Sequence, residues 1–199
     1  MPFACIFVPD FPVGALLRAE PELRSQSLAV LEGKAPLQKV FAVNENARRA
    51  GVNPGMTKLQ IEACTGVVLR ARSLPQESAA YAALLDCAQS FSPRVEAVGC
   101  DTIVLDLAGL QPLFGPLPKI AHALSRRASD LGLETSVAVA GNPDTAGLAA
   151  RIPDPGRRRR HRRSDRPSRP ADDPQSLPDR LRWRFQPGAR GDRRRPLQL

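Results

Sequence analysis

Short apolar runs alternate with longer amphipathic ones along the first 150 residues of this 199-residue chain. Phe3 to Val8 is apolar throughout, has the length of a buried strand and is stopped by Pro9. From Phe11 to Arg18 the apolar Phe11, Ala15 and Leu16 return at one-face helical spacing, and Pro21 ends the stretch. Ser27 to Leu31 and Lys39 to Val43 predict two more strands with a turn at Glu32-Gly33-Lys34 between them. Asn44 is an N-cap for a helix through Ala50, which Gly51 closes. A short helix over Thr57 to Cys64 and a strand over Gly66 to Ala71 follow. The long alanine-rich stretch Gln76 to Phe91 carries Ala79, Leu84, Cys87 and Phe91 near one stripe. Arg94 to Val98 and Thr102 to Leu107 flank Gly99-Cys100-Asp101 as a hairpin. Lys119 to Leu131 is amphipathic, Thr135 to Ala140 is a β run, and Asn142-Pro143-Asp144 starts a last helix. Interleaving of this kind predicts an α+β domain, a mixed sheet covered by helices, over residues 1–150.

Composition then divides the chain. Residues 1–150 hold 13 Lys and Arg against 14 Asp and Glu, whereas residues 151–199 hold 16 Arg, 6 Asp and neither Lys nor Glu. The net charge of +9 is therefore a property of the last 49 residues. Any inference from basic charge to a nucleic-acid partner rests on that segment alone. Eight of its residues are proline and no period of 2 or 3.6 lasts a full element, so it offers too little apolar area to offset chain entropy. A disordered Arg/Pro-rich tail is expected from Arg151, of the kind that a change of reading frame in a GC-rich gene would produce.

Candidate chemistry is sparse. Cys5, Cys64, Cys87 and Cys100 form no C-x-x-C pair, and His122 and His161 are the only histidines, which argues against a zinc knuckle, a redox dithiol or a histidine metal site. The apolar start runs into Asp10 without a basic lead, so neither a signal peptide nor a membrane span is expected, and a reduced cytoplasmic protein is the default. The carboxylates worth weighing are Asp10 after the first strand and Asp101 and Asp106 on the hairpin. Acids at strand ends can converge on two Mg²⁺ ions for phosphoryl transfer, although a lone Asp after a strand more often caps a helix.

Four segments in fixed order resemble the amino-terminal half, fingers and palm, of the Y-family lesion-bypass DNA polymerases, most closely their ImuB-like non-catalytic branch. They are Cys5 to Phe11 with Ala19 to Arg24, Asn44 to Met56, Cys100 to Leu107, and Ser136 to Asn142. In active members the first strand ends in metal-binding acids and the hairpin carries an Asp-Glu pair. Here the resemblance leaves Asp10 and Asp101 as vestigial acidic positions, with Asp10 uncertain in register by a residue or two. Thr102 stands at the glutamate position, and Asp106 matches a later family aspartate. A hydroxyl does not replace a carboxylate for a hard cation. Glu45 stands where the family has a tyrosine that touches the triphosphate, Arg48 is retained as the nucleotide- or DNA-facing cation, and Pro143 and Gly147 fall where the family has lysines. Arg48 reads equally well as an exposed helix residue.

The resemblance implies an accessory protein of damage-induced translesion synthesis and mutagenesis. Its implied partners are damaged primer-template DNA and, through a thumb, a little finger and a tail not visible here, the sliding clamp and other mutasome proteins. No resident cofactor is expected, although active family members use Mg²⁺. A divergent active polymerase and a non-functional frameshifted fragment are the alternatives.

Overall fold

The computed structural model describes residues 1–152. The elements follow as β1 (Phe3–Phe7), α1 (Phe11–Ala19), a 3₁₀ turn (Pro21–Ser25), β2 (Ser27–Glu32), β3 (Lys39–Val43), α2 (Glu45–Arg49), α3 (Lys58–Glu62), β4 (Val67–Ala71), α4 (Leu74–Gln89), β5 (Val95–Ala97), β6 (Thr102–Asp106), α5 (Gln111–Phe114), α6 (Leu117–Asp130), β7 (Ser136–Ala140) and α7 (Pro143–Arg151). The expected strands and principal helices form, and the α+β class holds. The strands divide into two sheets, a four-stranded one in the order β5-β6-β1-β7 and a three-stranded one in the order β3-β2-β4.

β1 is apolar on both faces because it is central. It pairs antiparallel with β6 on one side and β7 on the other. Ala4, Ile6 and Val8 point into the main core with Ile103 and Leu105 of β6, beneath Leu84 and Ala88 of α4 and Ile120 and Leu124 of α6. Phe3, Cys5 and Phe7 alternate to the opposite face, where Ala146 and Ala150 of α7 pack on Cys5 and Val104. Two alanines on the inner side of α7 let that helix lie close against the sheet.

In the smaller sheet β2 pairs antiparallel with β3 and parallel with β4. A β-bulge opposite Val30 and Leu31 leaves Phe41 as the extra residue, so Val40 and Val43, three apart, join one core with Ala29, Leu31, Ala47 and Ile61. α1 serves both sheets: Phe11 and Ala15 enter the main core, while Val13 and Leu16 pack against Leu28, Val30 and Ala42.

Two expectations need correction. On α4 the buried stripe is Ala80, Leu84, Cys87 and Ala88, and Ala79 faces solvent. Arg151, assigned to the tail, is the last residue of α7, and its side chain engages the sheet. The rest of the expected tail, residues 153–199, lies outside the described residues. Among the described residues no helix is long and apolar enough to cross a membrane.

Candidate functional site at the ends of β1 and β6

Strand pairing places Phe7 directly across from Thr102, and the backbone N–H of Val8 donates to the Asp101 carbonyl at 2.9 Å to close the ladder. Cross-strand partners share a sheet face, so Phe7 and Thr102 present side chains to the α7 side. α7 is started by Asn142, whose Oδ1 accepts from the Thr145 N–H at 2.7 Å, and by Pro143 in its first turn. The helix runs along β1 and β7 and delivers Arg151 to this corner from its last turn, where a cation also suits the helix dipole.

Four groups meet there. The Arg151 guanidinium lies 4.8 Å from the centroid of the Phe7 ring. Its Nη2 donates to Thr102 Oγ1 at 3.0 Å and sits 3.7 Å from Asp101 Oδ1. Thr102 is fully buried and passes its own proton on, donating to Asp101 Oδ1 at 2.7 Å. The hydroxyl therefore links the cation to the carboxylate. Cys5 lies on the same face of β1, and its thiol is pushed up by burial, with Arg151 pulling it down and Asp101 adding to the rise.

The other sequence-singled residues lie elsewhere. Asp10 follows β1 at the start of α1 in a left-handed conformation, φ 47°, and its carbonyl accepts from Val13 and Gly14. Both oxygens of its carboxylate take Arg48 Nη2, at 2.7 and 2.9 Å. Burial raises the Asp10 pKa against the pull of Arg48, and Glu45 adds to the rise. Asp10 and Arg48 are thus brought together, and the residue across from Thr102 is Phe7 rather than Asp10. Asn44 fixes this part of the structure: its Oδ1 accepts from the Ala47 and Leu28 N–H groups and its amide donates to Gln26. Glu45, on the first turn of α2, pairs with Arg49 at 3.3 Å. Asp106 accepts from the Ala108 N–H at 2.8 Å and from Arg94 at 3.1 Å, which together hold its carboxyl below the usual range.

Sequence reasoning missed Phe7 and Arg151. The alternation of Phe3, Cys5 and Phe7, set against a hairpin strand beginning at Thr102, was the available signal for the first. The Ala146 and Ala150 stripe running on to Arg151 was the signal for the second.

A pair of divalent cations needs several convergent oxygen ligands, mostly carboxylates. This corner offers one carboxylate and one hydroxyl beside an aromatic ring and a guanidinium. Among the described residues no group of three or more His, Cys, Asp or Glu could hold a metal ion. The donor set does not fit the two-Mg²⁺ arrangement that the resemblance implies for active members.

Residues 6–151 match the model of the impB/mucB/samB family. The chain belongs to that family. Similar curated members are DNA polymerase IV 2 of Mesorhizobium japonicum, 30% identical over 138 residues that cover 68% of this chain and 32% of the relative, and DNA polymerase IV of Francisella tularensis subsp. novicida, 29% identical over 141 residues that cover 69% and 40%. This impB/mucB/samB chain therefore spans about a third to two fifths of the length of these relatives. Among solved structures, a post-insertion binary complex of Dbh DNA polymerase superposes with a TM-score of 0.69 at 18% identity, over 78% of this chain and 46% of the other. DinB from Sulfolobus solfataricus superposes at 0.66 with 18% identity and the same coverages. The expected likeness to the amino-terminal portion of the Y-family polymerases holds at the level of the fold.

Proposed function

We propose that this family member acts as an ImuB-like accessory protein of damage-induced translesion DNA synthesis and mutagenesis, in the cytoplasm, without polymerase activity or a resident metal of its own. The observation that carries the proposal is the corner at the ends of β1 and β6, where Phe7 and Thr102 stand beside Asp101 and a guanidinium lies against all three. Phosphoryl transfer on the two-metal pattern calls for acids that converge on cations, and here one acid converges on an arginine. Arg48, the cation retained from the triphosphate-handling pattern, is likewise engaged by Asp10. Damaged primer-template DNA is the proposed substrate surface, and the sliding clamp and other mutasome proteins are the proposed partners.

The second reading is a divergent active polymerase, favoured by the relatives named DNA polymerase IV and by the presence of Asp101. Primer extension by the full chain, with Mg²⁺ or Mn²⁺ and all four dNTPs, separates the two. The accessory role predicts no extended primer. Steady incorporation that disappears in Asp101→Ala would overturn it.

A further inference from the structure

We infer that the Arg151 guanidinium is a built-in cation: it takes the place beside Asp101 that a divalent ion would otherwise compete for, and closes this corner of the sheet to Mg²⁺ and Mn²⁺. The inference deepens the non-catalytic reading and rests on it, because it assigns the loss of metal binding to a particular side chain and not only to missing acids.

Three contacts hold the cation in place. The Phe7 ring supplies a π face at 4.8 Å, Thr102 Oγ1 accepts at 3.0 Å, and Asp101 Oδ1 lies at 3.7 Å. Arginine does not lose its proton in a protein, so the charge at this position is permanent. A metal ion binding Asp101 Oδ1 would sit within a few ångströms of that charge and be repelled by it. Thr102 adds to the competition: its hydroxyl proton is directed at Asp101 Oδ1, one of the two carboxylate oxygens a metal would use. Phe7 offers no donor at the end of β1, the strand position facing Thr102. Arg151 also closes α7, whose Ala146 and Ala150 lie on Cys5 and Val104, so the cation is positioned by helix packing and not by its own flexible stem alone.

The test is a Mn²⁺ titration of the ¹⁵N-labelled full chain, followed by paramagnetic broadening of individual amide signals. In the wild type the amides of Asp101 and Thr102 are expected to broaden no earlier than those of exposed acids such as Glu62 and Asp130. In Arg151→Gln they are expected to broaden at a Mn²⁺ concentration at least fivefold lower, and in Phe7→Asp/Arg151→Gln at a lower one still. Arg151 is nearly half exposed, so the single variant is expected to keep the wild-type amide pattern elsewhere. Selective broadening of Asp101 and Thr102 in the wild type would overturn the inference, as would an unchanged titration in Arg151→Gln. Either result leaves the absence of polymerase activity standing, since that reading fails only if the chain extends primers.

Discussion

Asp10 and Asp106 show how a single carboxylate can be settled by its surroundings. Asp10 is the one non-glycine residue among those described with a positive φ, a conformation that costs most residues about 1–2 kcal/mol and that Asn tolerates well. Its ion pair with Arg48 is partly exposed and is worth about 0–1 kcal/mol. Because burial outweighs the pull of Arg48 on the Asp10 carboxyl, Asp10→Asn should cost little, and Asp10→Ala about 1 kcal/mol more in urea denaturation; equal losses would show that the backbone conformation carries no penalty. Asp106 bears on pH. The Ala108 N–H and Arg94 hold its folded pKa below the unfolded one, so its charge adds stability above the unfolded value of about 4, and that stability is lost as pH falls through the folded value. Asp106→Asn keeps an acceptor for Ala108 and removes the charge. The variant should be less stable than wild type near neutrality by up to about 1 kcal/mol, and the gap should close in acid; a gap that persists below pH 2 would contradict this.

At the scale of elements, packing residues were legible where period and burial coincide, as in β1 and α6, and illegible where pairing decides. The bulge in the β2–β3 pair cannot be read from alternation, because Val40 and Val43 differ by an odd step and only the extra residue Phe41 brings them to one face. Phe41 then receives the Arg72 guanidinium 4.1 Å above its ring. Arg72 also binds Glu77 through two bonds, at 2.7 and 2.8 Å, and Glu32 at 2.6 Å, joining the start of α4 to the end of β2. Glu77 is a charged residue in a buried position, and no sequence pattern marks it because its partners come from other elements. Removing it takes away the two-bond partner of Arg72 and leaves the cation with Glu32 and the Phe41 ring, so Glu77→Ala should cost about 1–3 kcal/mol in urea denaturation. A loss below about 1 kcal/mol would reduce the cluster to surface pairing.

For the whole molecule, the order of elements and the family were legible because four segments kept their order across the first 150 residues. The division into two sheets was not, since strands of both sheets carry the same short apolar runs, and α1 reveals its double duty only when both cores are in view. Part of this corner was legible: Asp101 was found from the hairpin and Thr102 from the family resemblance, whereas Phe7 needed the β1–β6 register and Arg151 needed α7 to continue past the point where composition changes. The molecule that results has the fold of the amino-terminal portion of the Y-family polymerases and a guanidinium beside Asp101 at the strand ends, where the resemblance places acids in active members. Anomalous diffraction from crystals of the full chain grown in Mn²⁺ tests that claim most directly. The account predicts no manganese peak at the Asp101 carboxylate and continuous density for Arg151 between Phe7 and Thr102. A manganese peak bound to Asp101, with the Arg151 side chain turned away, would contradict it.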